Sequence, residues 1–317
     1  MREIELIDDR TSSLSVFVPV HNEENYLKAT LNSVREAEEF YSAIEGRLKV
    51  VVSINGSSDR SIEIAEAFLI DNPHWDLRII ETALDGDQHF NALIQSCNTE
   101  YLCIVGGHDL VSQRYFYELE KFLKQSLKSP LCFSREFVDF AGKGIDAFEA
   151  NFRYKFSSED KTRFWQSIFY LGNATCFQGI VRTELIKAVP ALGTKTPDLV
   201  WLHGLLEYGP IIYSDKASYI RTNPVRTKFF VSNKIKNLKS AKISMDKAAL
   251  EAWSPRGSSR LKLLLARFVL TMKFSSSVFY QGIFQILRKV SQMFLVPPCR
   301  RKLFSNSSEK VVEILRH

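Results

Sequence analysis

The sequence L-S-V-F-V-P-V-H-N-E-E, residues 14–24, decides the fold. Its first seven residues form an apolar run, which is typical of a strand that is buried on both faces of a sheet. Polar residues follow directly, and after them Leu27, Leu31 and Val34 are spaced as on one face of a helix. A helix is therefore predicted over residues 22–38 with Asn22 as its N-cap, and a buried strand that leads straight into a helix predicts a βαβ unit.

The same alternation of strand and helix continues along the chain. Strands are predicted at 48–54, 77–80 and 101–105, and helices at 59–70, at 88–98 and after a cap at Ser112. Past residue 130 the pattern is less regular, with strands predicted at 131–140, 174–182 and 211–219 and a helix at 198–208. Strands joined by helices of this length favour a Rossmann-like, three-layer α/β/α fold with a mainly parallel sheet.

Charge is divided unevenly along the 317 residues, whose net charge is +6. Residues 1–226 contain 24 Lys and Arg against 32 Asp and Glu, whereas residues 227–317 contain 18 against 4. The two parts therefore carry −8 and +14. With 45% hydrophobic residues the chain is too apolar to be disordered. We predict an acidic globular domain over 1–226 and a basic, largely helical C-terminal extension over 227–317.

Terminal and cysteine patterns bear on the cellular compartment. The N-terminal sequence M-R-E-I-E-L-I-D-D-R is charged and lacks the apolar segment of a secretory signal. The chain contains no run of about 18 apolar residues, so no transmembrane helix is predicted. The five cysteines are odd in number and lack C-x-x-C spacing, which favours free thiols in a reducing compartment. A cytoplasmic protein is expected.

Three polar loops carry the candidate site. They are residues 19–24 after the first strand, 55–59 after the second and 106–109 after the fourth. In an open parallel sheet, ligands bind beyond the carboxyl ends of the strands, so these loops are expected to meet. His21 offers a flat ring and Asn55 an amide to a nucleotide base, and the Gly-Gly turn of the third loop allows close backbone approach. His108 and Asp109 offer a nitrogen and an oxygen to a metal ion.

The order of these motifs resembles that of inverting family 2 glycosyltransferases, which have the GT-A fold. The chain reads P-V-H-N-E-E, N-G-S-S-D-R-S and E-Y-L-C-I-V-G-G-H-D. Family members typically read P-x-Y-N-E-E, D-D-G-S-T-D-G-T and E-Y-I-x-F-L-D-A-D-D at similar spacing. Downstream, F-Q-G-I-V-R-T-E-L and P-D-L-V-W-L-H-G-L-L-E-Y-G are similar to two further family segments. The resemblance covers residues 13–223.

The resemblance implies a role for each matching position. His21 takes the place of the aromatic residue that stacks on the base, and Asn55 that of an Asp that contacts it. The implied donor-binding residues are Pro19, His21, Asn22, Glu23, Asn55, Gly56, Ser57, Asn91, Gly106, Gly107 and Asp109. The segment Gly106-Gly107-His108 stands where the family has its Asp-x-Asp metal motif. The first Asp is therefore missing, and His108 and Asp109 remain as implied ligands of a divalent cation, Mn²⁺ or Mg²⁺.

Asp198 matches the Asp of the family's E-D pair, which resembles the general base. The implied reaction is a single displacement, in which this carboxylate accepts the proton of an acceptor hydroxyl that attacks the anomeric carbon with inversion. A divalent ion would neutralise the charge that grows on the nucleoside diphosphate leaving group. Trp201 and His203 on the same predicted helix are candidate acceptor residues. Candidates to assist from a loop after the last strand are Arg221, Arg226 and Lys228.

Each candidate also has a plain structural interpretation. His21 and His108 could be ordinary surface histidines, and the N-G-S-S-D segment could be only a turn and helix cap. Asp109 could cap the helix that follows it. Asp198 could be the N-cap of its helix, and Trp201 could fill the core.

Residues 260–302 mix apolar and basic side chains at helical spacing. Basic amphipathic helices can lie on an anionic membrane surface. Alternatively, they could pack on the globular domain and expose their charge to water. Nucleic-acid binding is not favoured, because no recognition motif accompanies the charge.

The sequence thus predicts a glycosyltransferase that moves a sugar from a nucleotide sugar to a glycan or lipid-linked acceptor. Its expected setting is surface polysaccharide or glycoconjugate biosynthesis, in the cytoplasm or at the inner face of the membrane. The alternative is a catalytically degenerate protein of the same fold that binds nucleotide or glycan, because acidic residues of the family are missing at positions 54, 55 and 106. A Rossmann dehydrogenase is set aside, since P-V-H-N-E-E stands where G-x-G-x-x-G would be required.

Overall fold

A computed structural model of the chain describes residues 12–140, 148–149, 156–170, 177–189 and 197–223, and 265, 269, 283, 285–287 and 290 of the C-terminal part. The helices are α1 Leu27–Ser42, α2 Ser61–Asp71, α3 Gly86–Ser96, α4 Tyr115–Gln125, α5 Asp160–Tyr170, α6 Thr183–Ala188 and α7 Pro197–Tyr208. The strands are β1 Leu14–Val20, β2 Lys49–Asn55, β3 Asp76–Ile80, β4 Tyr101–Ile104, β5 Leu110–Val111, β6 Leu131–Phe140, β7 Phe148–Glu149, β8 Gly179–Arg182 and β9 Ile212–Asn223.

Strand β1 lies inside a parallel block with the order β3-β2-β1-β4. Val16 of β1 pairs with Val50 of β2 on one side and with Cys103 of β4 on the other. The block confirms the predicted α/β fold. Because its strands are parallel, the carboxyl ends of β1, β2 and β4 meet at one edge of the sheet.

Side chains of β1 divide between two cores, because successive residues of a strand point to opposite faces. Val16 and Val18 join a buried cluster with residues of α1 and α4, whereas Phe17 joins a second cluster with residues of α3, α5 and α7. The prediction of a strand buried on both faces, and of a helical layer on each side of the sheet, is thereby confirmed.

The second half of the sheet is mixed. Strand β8 runs antiparallel to β4, and the order continues through β6 and β9 to β5. Strand β5, which the sequence analysis did not predict, pairs antiparallel with β9, with Leu110 opposite Ile220 and Val111 opposite Tyr219. Because β5 directly follows the third polar loop, this pairing fixes that loop against β9.

Two predicted helix caps are wrong. Asn22 has a left-handed backbone (φ 57°) and lies well before α1, and its Oδ1 accepts a hydrogen bond from the Ser58 N–H at 2.8 Å. Ser112 precedes α4, but its Oγ accepts from the Ser218 N–H of β9 at 3.0 Å. Both polar side chains are therefore used by a distant part of the chain and not by the adjacent helix.

The C-terminal part contacts the globular domain at the positions that the structure describes. Val269 is buried in the cluster that contains α7, and Ile283 and Leu287 pack against that cluster. These contacts support the interpretation that the segment packs on the domain. Exposed apolar side chains in this part are Leu265, Ile286 and Val290.

The predicted domain boundary at residues 226–227 and the basic residues 300–302 lie outside the described residues, as do Arg226 and Lys228. Within the described ranges, no helix has the length and apolar character needed to cross a membrane.

Gly179 tests the packing of β8 against β6 in the mixed half of the sheet. A Cβ at this buried position would lie 2.4 Å from the Cys132 carbonyl oxygen of β6, which the backbone holds in place. We expect Gly179→Ala to lower the free energy of unfolding by about 1–3 kcal/mol in urea denaturation, because overpacking forces the strands apart. Gly86→Ala is the matched control, since nothing lies within 4 Å of its Cβ. Equal effects of the two substitutions would contradict this view of the β6–β8 contact.

Candidate functional site

The first two polar loops are tied to each other at the sheet edge. The His21 Nδ1–H donates to the Asn55 carbonyl at 2.7 Å, and the Asn22 N–H donates to Ser57 Oγ at 3.1 Å. The His21 Nε2 lies 3.4 Å from Asn22 Nδ2, so the ring is held at both nitrogens, and because the residue is exposed the face of the ring is open to a ligand. The structure thus brings His21, Asn22, Asn55 and Ser57 together, as the sequence analysis predicted.

The backbone N–H groups of Glu23 and Glu24 in the first loop bind side chains near the start of α2. The Glu23 N–H donates to Ser61 Oγ and the Glu24 N–H donates to Asp59 Oδ2, both at 2.9 Å. Partial burial acts to raise the pKa of Asp59, but hydrogen bonds from Ser61 and the Glu24 backbone prevail and lower it. Asp59 is therefore a charged link between the two loops.

Asn55 uses its whole amide inside the protein. Its Nδ2 donates to the Leu84 carbonyl at 2.9 Å, and its Oδ1 accepts from the Leu84 N–H at 2.8 Å. Gly56 follows in a left-handed conformation (φ 57°), and a Cβ there would lie 2.6 Å from that of Ala83. The second loop thus clamps residues 83–84, and a base at this edge would have to share the Asn55 amide with Leu84.

The third loop is turned inward at Asp109. This residue is 3% exposed, and its carboxylate accepts from Tyr219 Oη at 2.6 Å and from the Thr222 N–H at 2.9 Å. Burial raises the pKa of Asp109 to about 6, although His108, Tyr219 and Thr222 act to lower it. A Cβ at Gly106 would lie 2.5 Å from Asp109 Oδ2. The Gly at 106 is therefore a consequence of where Asp109 points.

His108 lies between two carboxylates. Its Nδ1–H donates to Glu23 Oε1 at 2.8 Å, and its Nε2 lies 3.7 Å from Asp109 Oδ1. Gly107 packs tightly beside this pair, because a Cβ there would lie 2.9 Å from the Pro19 carbonyl oxygen. The first and third loops are therefore joined through Glu23 and His108.

Asp198 lies in the first turn of α7 and faces a second carboxylate. Asp87 in the first turn of α3 is half-buried, and its pKa is raised by burial and then by the negative charges of Asp198 and Asp85. Helix N-termini favour negative charge, which helps both helices to carry an acidic residue here. The sequence analysis missed Asp87, although the D-G-D segment before a predicted helix was a signal for it.

An aromatic stack holds the two helix starts together. The ring of Phe177 is stacked on Trp201 of α7 at 5.6 Å and lies 6.3 Å from the ring of Phe90 of α3. Trp201 follows Asp198 by one turn, and Phe90 follows Asp87 by one turn. The stack therefore fixes the separation of the two carboxylates.

The remaining predicted residues lie on these helices. Trp201 is 1% exposed and His203 is 2% exposed, so both are buried, although they point to different sides of α7. Asn91 is half-buried on α3. Their ligand roles stay predictions, and no contact given by the structure favours an acceptor role for Trp201 or His203.

The sequence analysis missed the buried acid Glu136 and placed Arg221 in a loop after the last strand, whereas Arg221 lies within β9. Arg221 Nε lies 3.3 Å from Oε1 of Glu136, which is 1% exposed on β6. Burial raises the pKa of Glu136 to about 8, with Arg221 acting in the opposite direction and Asp109 reinforcing the rise. No sequence motif marks Glu136, because only the pairing of β6 with β9 brings it to Arg221.

Comparison with known families decides the classification. The family model described as glycosyl transferase family 2 matches residues 15–180, which include all three polar loops.

The chain belongs to glycosyl transferase family 2.

Known relatives agree with this membership. An abequosyltransferase, RfbV, of Salmonella typhimurium strain LT2 is 26% identical over 127 residues, which are 39% of this chain and 36% of the relative. The chain thus matches about a third of that protein's length. S. aureus TarS superposes with a TM-score of 0.60 at 18% identity, covering 83% of this chain and 44% of TarS. TarS 1–349 in complex with UDP-GlcNAc gives a TM-score of 0.56 at 16% identity, covering 83% and 80%. The TarS matches establish the GT-A fold.

The family's Asp-x-Asp motif implies a divalent cation at the third loop, so the donor set must be compared with that role. Within the described ranges, no group of three or more His, Cys, Asp or Glu side chains could hold a metal ion. Both Asp109 oxygens bond inward to β9, and His108 donates to Glu23. These residues do not fit a divalent cation, which prefers several free oxygen ligands. Metal binding by His108 and Asp109 stays a prediction that this geometry does not favour.

The geometry of Asn55 explains why this family member lacks an Asp there. We expect Asn55→Asp to lower the free energy of unfolding by about 1–3 kcal/mol in urea denaturation, because a carboxylate cannot donate to the Leu84 carbonyl. Asn98→Asp is the matched control, since Asn98 is exposed and only its Oδ1 is used, accepting from Lys49 Nζ at 3.2 Å. An Asn55→Asp protein as stable as the control would show that the Leu84 clamp is unimportant.

Proposed function

We propose that this family member is an inverting glycosyltransferase that moves a sugar from a nucleotide sugar to a glycan or lipid-linked acceptor. The observation that carries the proposal is the convergence of the loops after β1, β2 and β4 at one sheet edge, within the segment matched by the family model. A role in surface polysaccharide or glycoconjugate biosynthesis is supported by the similarity to an abequosyltransferase.

The donor would bind along the edge formed by the three loops. The exposed His21 ring, held by the Asn55 carbonyl, presents a face on which a base can stack. Backbone groups near Gly106 and Gly107 allow a diphosphate to come close, because neither residue carries a Cβ. Bonds between the loops hold this edge in place before the donor arrives, which lowers the cost of binding.

Asp198 is the proposed base. As the acceptor hydroxyl attacks the anomeric carbon, its proton passes to the Asp198 carboxylate, the new glycosidic bond forms and the bond to the diphosphate breaks. Asp87 lies close enough for its pKa to respond to the charge of Asp198. Its own negative charge therefore makes protonation of its neighbour easier, which tunes the pH at which the base is available.

The predicted divalent cation, Mn²⁺ or Mg²⁺, has no step in this scheme. Family resemblance supports it, but the described donor atoms of the third loop do not.

A catalytically degenerate nucleotide- or glycan-binding protein is the second candidate. The inward orientation of Asp109 and the use of the Asn55 amide by Leu84 favour it, because both remove polar groups from the ligand edge.

Donor hydrolysis separates the two candidates. We expect slow release of nucleoside diphosphate from one of the UDP-, GDP-, CDP- or dTDP-sugars, and a loss of about 10²-fold or more with Asp198→Asn, since the base is removed. Asp215→Asn, an exposed acid on β9, is the matched control. Tight nucleotide binding without turnover of any donor would favour the degenerate protein.

Asp87→Asn is expected to keep activity and to shift the acid limb of the pH–rate profile to lower pH, because a neighbouring negative charge is gone.

We further propose that residues 260–302 bring the enzyme to an anionic membrane surface at the cytoplasmic face. Their basic composition supports this, and so do the apolar side chains of Leu265, Ile286 and Val290, which are 47%, 63% and 45% exposed beside residues that pack on the domain.

Vesicle flotation tests the membrane proposal with the intact chain, because truncation at residue 226 would remove Val269 from the core. We expect the protein to float with vesicles containing phosphatidylserine, and less so after triple substitution of Leu265, Ile286 and Val290 by Ser. Substitution of Ile44, Ile70 and Leu127 by Ser is the matched control, since these apolar side chains of the globular domain are at least as exposed. Equal flotation of both variants would show that the C-terminal part is not the anchor.

A further inference from the structure

Strand β9 places the guanidinium of Arg221 beside the third loop. Tyr219 Oη and the Thr222 N–H both donate to the Asp109 carboxylate, and Tyr219 Oη also accepts from the Gly106 N–H at 3.2 Å. Arg221 lies between these two anchored residues. Its backbone position is therefore fixed relative to the loop where the family has its metal motif.

The side chain of Arg221 points to the same place. Tyr219 and Arg221 lie two residues apart on one strand, so their side chains share a face of the sheet. Arg221 is near enough to Asp109 for its charge to lower the pKa of that carboxyl. Its Nε lies 3.3 Å from the buried Glu136, yet the side chain remains 38% exposed. The guanidinium is therefore held by Glu136, while more than a third of the side chain is open to solvent.

The same contacts explain why the loop has no carboxylates to offer. Asp109 can bond to β9 only if residue 106 lacks a Cβ, because that atom would lie 2.5 Å from Asp109 Oδ2. Compared with the family's D-x-D-D segment, the chain has Gly106 and His108 in place of two acids, and the remaining acid, Asp109, is turned inward beside Arg221. A guanidinium is charged at every relevant pH, and its planar set of donors matches phosphate oxygens.

We propose that Arg221 binds the diphosphate of the donor in place of a divalent cation, with Asp109 and Glu136 as its positioning residues. This inference rests on the proposed function, since it assumes a nucleoside diphosphate at this edge. It makes donor binding and leaving-group stabilisation in this family member independent of metal.

Calorimetric binding of nucleoside diphosphates tests the proposal on the full chain, with UDP, GDP, CDP and dTDP as probes in EDTA and in Mn²⁺. We expect at least one of them to bind in EDTA with an affinity that Mn²⁺ changes little. Arg221→Gln should weaken that affinity about tenfold or more, because charge-assisted hydrogen bonds to phosphate are lost. Arg221→Lys should recover part of the loss. Lys216→Gln, which removes a charge from an exposed position on the same strand, should have no effect.

Binding of the nucleoside without phosphates shows whether Arg221→Gln acts through a lost phosphate contact or through a folding defect. A direct contact predicts that Arg221→Gln weakens the diphosphate and leaves the affinity for the corresponding nucleoside unchanged, whereas a folding defect would weaken both. Diphosphate binding that requires Mn²⁺ and is unchanged in Arg221→Gln would overturn the inference and leave the proposed function intact. Absence of binding for every diphosphate in both buffers would overturn both.

Discussion

The contact between Asp109 and strand β9 is the constraint on which the geometry of the site depends. Two hydrogen bonds join this buried carboxylate to Tyr219 and Thr222, and they connect the parallel half of the sheet, which carries the loops, to the mixed half. A buried carboxylate without donors would be costly, so Asp109 and β9 must come together for either to be stable. Glycine at 106 follows from the space that the carboxylate occupies. The inward orientation of Asp109 thus accounts for the glycine at 106, for the shape of the loop and for the position of Arg221 beside it.

The other two loops are organised in the same way, by bonds within the protein. Asn22 binds the turn after β2, Glu24 binds Asp59, and Asn55 clamps Leu84. These residues form a continuous framework in which the side chains of His21 and Asn22 are exposed. The polar motifs therefore act first as structural connections between loops that are far apart in sequence. Ligand recognition at this edge must use what the framework leaves open, which explains how the chain can depart from its family at position 55 and keep the fold.

Local sequence patterns predicted the elements that depend on local rules. The apolar run of β1 reflects burial on two faces, and the spacing in α1 reflects one buried stripe, so both were predictable. The caps at Asn22 and Ser112 were mistaken because each side chain finds a partner in a distant loop or strand, which no local pattern reveals. Strand β5 has only two residues and exists because β9 pairs with it. The site was predictable as a set of loops, whereas the inward turn of Asp109 and the pairing of Glu136 with Arg221 depend on tertiary contacts.

The charge distribution of the chain now has a physical interpretation at the site. The first 226 residues carry a net charge of −8, which repels a diphosphate at long range, so attraction must come from local groups. Arg221 can supply it because burial disfavours the charged form of its partner Glu136 and raises that pKa to about 8, so Glu136 offsets the positive charge of the guanidinium less than an exposed carboxylate would. The +14 of residues 227–317 cannot replace such a group unless it lies within a Debye length, about 8–10 Å, of the donor. Long-range and local electrostatics therefore divide between two parts of the chain, with the basic C-terminal part suited to an anionic surface and the Arg221–Glu136 pair suited to one phosphate group.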